Sequence, residues 1–253
     1  MAFVPINDEN PRIWIRYHFV TMALIAACVL TFLWQLGLPS REHEVAFFRY
    51  GVVPAVLWGN AALPAEAAVV PSPVTLFTSM FLHGGWLHLI GNMLFLWVFG
   101  DNVEDAMGHR RFVVFYLLCG VIAGLAHAAS VPGSTIPTVG ASGAIAGVLG
   151  AYFVLHPKVG IWGLLFGVIP IKLPTLIVLG SWIGLEVLNA LTVRSEGAGI
   201  AWWAHVGGFV AGAVLIFFFR QPHVVLWDSR PGARIRRPIS FASRRGPWGR
   251  RGR

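Results

Sequence analysis

Charge is scarce in this chain. Of its 253 residues only 12% are Asp, Glu, Lys or Arg, against 56% hydrophobic, too little charge to cover an ordinary soluble domain. Cysteine is nearly absent as well. Cys28 and Cys119 both lie in apolar runs, which excludes a disulfide framework and a cysteine zinc site and leaves two small buried hydrophobes. No HExxH run exists: His43-Glu44 starts one and lacks the second histidine, so the zinc-protease helix is excluded and no metal is expected. No repeat, no second domain and no cofactor motif is visible.

What the chain does have is apolar runs of spanning length. Six are recognised, at about 17–37, 87–106, 111–130, 141–156, 174–193 and 200–219, since about 20 apolar residues cross a hydrocarbon core of about 30 Å. The first follows a polar stretch and is not succeeded by a small-residue cleavage site, so it reads as a transmembrane helix and not as a cleavable signal. Residues 38–86 form a long, rather apolar connection. Prolines at 54, 64, 71 and 73 argue for a partly helical segment lying in the interface. The run 161–170 is too short to span, and Pro170 and Pro174 bracket Lys172, so a re-entrant or interfacial loop is expected there. The predicted class is an all-α membrane protein with a six-transmembrane-helix bundle over 17–219 and an external loop at 38–86. A cytoplasmic segment, 1–16, precedes it, and a basic, disordered cytoplasmic tail, 220–253, follows.

The net charge of +8 comes mainly from nine arginines after Arg220. Nucleic acid is one reading of such a tail; anionic lipid headgroups at a cytoplasmic face are preferred, and no nucleic-acid partner is expected. Sixteen of the 19 Lys and Arg residues fall on one side of the six runs, and only Arg41, Arg49 and Arg194 on the other. That bias puts both termini in the cytoplasm. With no organellar presequence apparent, a bacterial inner (plasma) membrane is the expected location.

Polar residues inside such runs are costly and need a reason. His88 and Asn92 stand four apart near the outer end of the second run, hence on one helical face. Ser142 opens the fourth, after Gly140-Ala141 and before Gly143. From Ser142 to His156 a helix covers only about 21 Å, so Ser142 starts about 9 Å below the outer surface. His205, in the sixth run, falls about 9 Å down by an independent count. Gly143, Gly147 and Gly150 on one side and Gly208 and Gly212 on the other form small-xxx-small surfaces that let these helices approach. The short fourth helix leaves a gap for the loop 131–139 and for water.

A serine with a neutral imidazole at the same depth suits acyl transfer, Ser142 as nucleophile and His205 as base. The Asn92 amide, the Ser142 backbone N–H and His88 are candidate oxyanion donors. No Asp or Glu stands where it clearly completes a triad, so a dyad is predicted. Glu186 lies about 10 Å deep in the fifth run; it is read as lining the same wet cavity, with gating or proton transfer as the sharper alternative. His18, His109, His127, His156 and His223 carry no motif and are expected at interfaces or the surface.

These residues resemble the rhomboid family of intramembrane serine proteases. The resemblance covers most of residues 75–215: Leu76-Phe77-Thr78-Ser79-Met80-Phe81-Leu82-His83 with Trp86-Leu87-His88-Leu89-Ile90-Gly91-Asn92, then Gly140-Ala141-Ser142-Gly143, then Ala204-His205-Val206-Gly207-Gly208. It implies a rhomboid-like bundle whose short fourth helix is partly buried, Ser142 and His205 as the reacting pair, and His88 and Asn92 around the oxyanion. It places His83 near the outer mouth and makes Glu104 and Gly108 a structural E-x-x-x-G element. Two departures stand out. The family's Trp-Arg pair in the first external loop is missing, with Val74-Thr75 about where it would lie. An aromatic often found four residues after the serine is Ala146.

The expected partners are single-span transmembrane substrates, cut near the outer side where Gly, Pro or small polar residues loosen the helix, because helical carbonyls are otherwise hidden in i→i−4 bonds. The alternatives are a non-proteolytic rhomboid-like protein that binds transmembrane clients, and a six-helix transporter.

Overall fold

The computed structural model describes residues 3–192 and 201–227, and where it describes the six runs of spanning length they are helical. The long helices are α1 (Phe19–Leu36), α5 (Trp86–Met107), α6 (His109–Ser130), α7 (Ser142–Leu155), α8 (Thr175–Thr192) and α9 (Trp202–Phe219). The connection 38–86 folds as α2 (Ser40–Tyr50), α3 (Pro54–Leu57) and α4 (Thr75–Thr78), with 3-10 turns on either side of α4. Four helices, α1, α6, α8 and α9, are long and apolar enough to cross a membrane, and five if α5 is joined to the bent segment before it. α7, at 14 residues, is short as expected, so the six-span count remains a proposal.

The all-α expectation needs correction: the chain is mostly helical and carries a small sheet. Residues 161–170, expected as a re-entrant or interfacial loop, are strand and turn. β2 (Gly160–Leu165) and β3 (Ile169–Pro174) form an antiparallel hairpin, and β1 (Phe3–Asp8), from the segment expected to be plain polar chain, pairs antiparallel with β2. The order β1-β2-β3 explains the prolines. Pro5, Pro170 and Pro174 all sit on edge strands, which can spare an N–H, and the central strand has none. Three residues, Phe166 to Val168, join the paired Leu165 and Ile169; Phe166 and Gly167 both have positive φ (53° and 76°), and Val168 N–H donates to Leu165 O.

Two carboxylates of α5 hold the start of the chain. The first N–H groups of any helix lack internal acceptors, and α1 has no side-chain cap of its own. Glu104, fully buried, accepts from the Val20 and Thr21 amides and the Thr21 hydroxyl at 2.7–3.0 Å. Asp105 accepts from the amides of Ile13, Trp14 and Ile15. Gly108, at φ 78°, makes the turn from α5 into α6. This is the physical content of the Glu104–Gly108 element.

Asp8 pins the sheet to the bundle. Its Oδ2 accepts from the Tyr152 hydroxyl (2.5 Å) and the Asn102 amide (2.9 Å). Burial, helped by the nearby Asp101 carboxylate and opposed by the Tyr152 bond, pushes Asp8 up to about 7 from 3.8. The docked strand therefore binds a proton that the released strand does not, and docking weakens as pH rises from about 4 to about 7 and then levels off. Melting temperature is expected to fall across that window in the wild type. Asp8→Asn, neutral throughout, should flatten the profile; an unchanged slope would show that Asp8 does not control it.

The first residues of the segment expected as a tail, 220–253, are ordered against the bundle. Residues 221–227 fold back on the bundle, Gln221 N–H donating to Ala106 O and Trp227 N–H to Val154 O. The arginines from Arg230 onward, and Arg194 and the ends of the fifth and sixth runs at 193–200, lie outside the described residues.

Candidate active site

α7 and α9 touch backbone to backbone. A Cβ on Gly208 would lie 2.0 Å from Gly143 O, and one on Gly212 would lie 1.8 Å from Gly147 O; one on Gly150 would lie 2.1 Å from Phe209 O. No side chain fits in that seam. The close approach brings Ser142, first residue of α7, beside His205 of α9: Ser142 Oγ and His205 Nε2 are 2.9 Å apart. As the first helical residue, Ser142 also has a backbone N–H with no intrahelical acceptor.

Gly140 sets the approach to the serine. Its φ of 123° is open to glycine at little cost, and its N–H donates to Ser79 O (2.8 Å). A Cβ there would stand 2.6 Å from His88 Nε2 and 3.7 Å from Asn92 Nδ2, so both side chains of α5 lie over the backbone just before Ser142. Gly84 N–H points at His88 Nδ1 (3.3 Å). A nitrogen that accepts leaves the ring's proton on the other one, which makes Nε2 the donor on the Gly140 side. Asn92 Nδ2 is buried with no protein acceptor.

Ser142, His205, His88 and Asn92 line one cavity of about 990 Å³, together with Gly140, Gly143 and the loop residues Val131, Ser134 and Ile136–Val139. These loop residues wall the cavity beside the start of α7, and the loop is tied to the connection 38–86 by the Val52–Thr138 bridge. His83 is not at the mouth. It is fully buried, its backbone N–H donates to Gln35 Oε1 and its carbonyl accepts from Gln35 Nε2, and its ring meets the His88 ring at 5.2 Å.

The sequence reading misses one contact of the site and one residue of it. Glu186 was placed in the cavity but not in contact with the pair; its Oε2 is 2.8 Å from His205 Nδ1. His127 was expected at an interface or surface, yet it is 7% exposed and lines the cavity. The signal was the small-residue stripe of α6: Ala123 faces the Gly143 seam, and a residue four further along a helix shares its face. Among the described residues no group of three or more His, Cys, Asp or Glu is arranged to hold a metal ion.

The sequence model of the Rhomboid domain matches residues 71–222, a stretch that contains every residue of this cavity except Val52. The chain belongs to the rhomboid family. This rhomboid-family chain is 30% identical over 216 residues to the human (Homo sapiens) presenilin-associated rhomboid-like protein, mitochondrial, covering 82% of the chain and 49% of that protein. It is 33% identical over 137 residues to Rhomboid protease GluP of Bacillus subtilis (strain 168), covering 54% of the chain and 24% of that protein. Rhomboid-like protein 11, chloroplastic, of Arabidopsis thaliana is 29% identical over 154 residues, 57% of the chain and 51% of the relative. The chain thus spans about half or less of the length of these relatives. Family membership and the apolar helices make it an integral membrane protein.

Proposed function

We propose that this rhomboid-family protein is an intramembrane serine endopeptidase. The observation that carries the reading is the 2.9 Å approach of Ser142 Oγ to His205 Nε2, on the wall of a cavity wide enough for a peptide segment and water. His205 Nε2 takes the Ser142 proton as Oγ bonds to the scissile carbonyl carbon, and the carbonyl π pair moves onto oxygen. Asn92 Nδ2, His88 Nε2 and the Ser142 backbone N–H are the donors for that oxyanion. When it collapses the C–N bond breaks, and the proton on Nε2 passes to the leaving nitrogen. Water, deprotonated by His205, then attacks the acyl-serine; the proton returns to Ser142 Oγ as the carboxylate product leaves. No cofactor is called for.

In the same reading the substrates are single-span membrane proteins cut near the outer side, six spans cross the membrane, and the domain covers 17–219. Both termini face the cytoplasm of a bacterial-type inner membrane, and the basic segment after 220 faces anionic headgroups. Relatives with mitochondrial and chloroplastic names make the compartment part of the proposal.

A serine-directed fluorophosphonate is the direct test. Wild-type protein in lipid should be labelled at Ser142 and Ser142→Ala should not. A folded wild type that is neither labelled nor cleaves any transmembrane substrate would leave the non-proteolytic, client-binding reading in possession.

A further inference from the structure

The notable contact of His205 is with α8. Glu186 is the only acidic residue lining the cavity among the described residues. It is 8% exposed, and its Oε2 sits 2.8 Å from His205 Nδ1. Trp182, one turn earlier and so on the same face of α8, stacks obliquely on the His205 ring, with centroids 6.0 Å apart and planes at 37°. On α7 the residue one turn after Ser142 is the small Ala146, fully buried. A buried carboxylate inside a membrane protein is costly unless paired, and His205 is its partner here.

We infer that Glu186 is the positioning residue of the Ser142–His205 pair: it holds the His205 proton on Nδ1 and offsets the imidazolium formed during peptide hydrolysis. This rests on the serine-protease reading above. An ionised carboxylate only accepts, so Nδ1 facing it must donate. The neutral ring then has a bare Nε2, which accepts the Ser142 hydroxyl proton. The opposite tautomer would donate from Nε2 to Ser142 Oγ and could take no proton from it. As Oγ bonds to the carbonyl carbon, the serine proton moves to Nε2 and the ring becomes a cation between Ser142 and Glu186. The Nδ1 proton stays where it is throughout. Trp182 limits rotation of the ring while Glu186 fixes its proton. His88 and His127 also act on His205 electrostatically, from α5 and α6, but neither supplies a negative charge.

The test uses the full chain in proteoliposomes with a single-span substrate, comparing wild type, Glu186→Gln, Glu186→Leu and Ser142→Ala. With Glu186→Leu, kcat is expected to fall on the order of 10²–10⁴-fold while KM stays within about threefold. Glu186→Gln keeps an acceptor without the charge and should recover part of that loss. In 15N-histidine spectra, with His205 assigned by its disappearance in His205→Ala, the wild-type ring should be protonated at Nδ1 and the Glu186→Leu ring should be a tautomer mixture. Thermal melts identify any variant that fails to fold, and the isosteric Glu186→Gln guards against that loss. If both Glu186 variants turn over within about threefold of wild type while Ser142→Ala is inert, Glu186 only lines the cavity and the protease reading stands. If the wild type itself is inert, that reading fails, and the positioning role fails with it. The spectra then decide only whether the Glu186–His205 pair exists: identical His205 signals with and without the carboxylate would overturn it as well.

Discussion

Ser142→Ala is expected to reduce cleavage of a reconstituted transmembrane substrate by on the order of 10⁴–10⁶-fold while leaving the melting temperature nearly unchanged. The two halves of that result have separate physical causes. The rate depends on one oxygen: the 2.9 Å contact to His205 Nε2 is the route by which that oxygen loses its proton, and alanine has nothing to deprotonate. Stability depends little on it. The Ser142 hydroxyl gives up one hydrogen bond, worth about 1 kcal/mol net, and no packing. His205→Ala would be a poorer test of the same step. It strips the ring from Trp182 and strands the Glu186 carboxylate, and breaking a buried pair can cost about 3–5 kcal/mol. A Ser142→Ala protein that melts normally yet cleaves at more than about one hundredth of the wild-type rate would move the nucleophile elsewhere.

The Ser142–His205 meeting was legible because it follows from counting. Helical rise fixes depth, and the glycine stripes of α7 and α9 identify which faces can touch. The contact of Glu186 with His205 could not be counted in that way. α8 is apolar around most of its circumference, with only Thr175, Val178, Leu179, Glu186 and Ala190 buried, so its sequence shows how deep Glu186 lies but not which way the helix is turned. The absent aromatic at Ala146 was visible as a gap; that Trp182 approaches His205 from another helix was not. The sheet was hidden by distance. Phe3–Asp8 pairs with Gly160–Leu165, and nothing in six residues of strand names a partner so far along the chain. Glu104 was placed by family resemblance alone, and only the structure shows why a carboxylate is needed there: it accepts the N–H groups that open α1.

Gly212→Val is expected to abolish activity through the fold and not through the chemistry, since among the described glycines an added Cβ meets its nearest neighbour most closely at 212. A Cβ at 212 would stand 1.8 Å from Gly147 O, with Gly147 C at 2.5 Å and Gly147 Cα at 2.6 Å. Those are backbone atoms of a helix and cannot rotate away as a side chain could. Even Gly212→Ala must therefore push α7 and α9 apart by an ångström or more, and overpacking of this kind costs about 1–3 kcal/mol or above. The added γ-carbons of valine have no space at all. Separation is felt at once at the site, since Ser142 rides on α7 and His205 on α9, and a misplacement of about 1 Å can cost about 10²-fold in rate. The comparison that isolates the cause is Gly184→Ala on α8. Gly184 has nothing within 4 Å of its notional Cβ, and alanine there should be neutral or gain up to about 1 kcal/mol of helix propensity. Melting temperature and cleavage rate should both fall in Gly212→Ala, while in Gly184→Ala the melting temperature should hold or rise and the rate should stay as in the wild type. If Gly212→Ala melts and cleaves like the wild type, α7 and α9 are not in backbone contact, and the seam that brings the serine to the histidine is wrong.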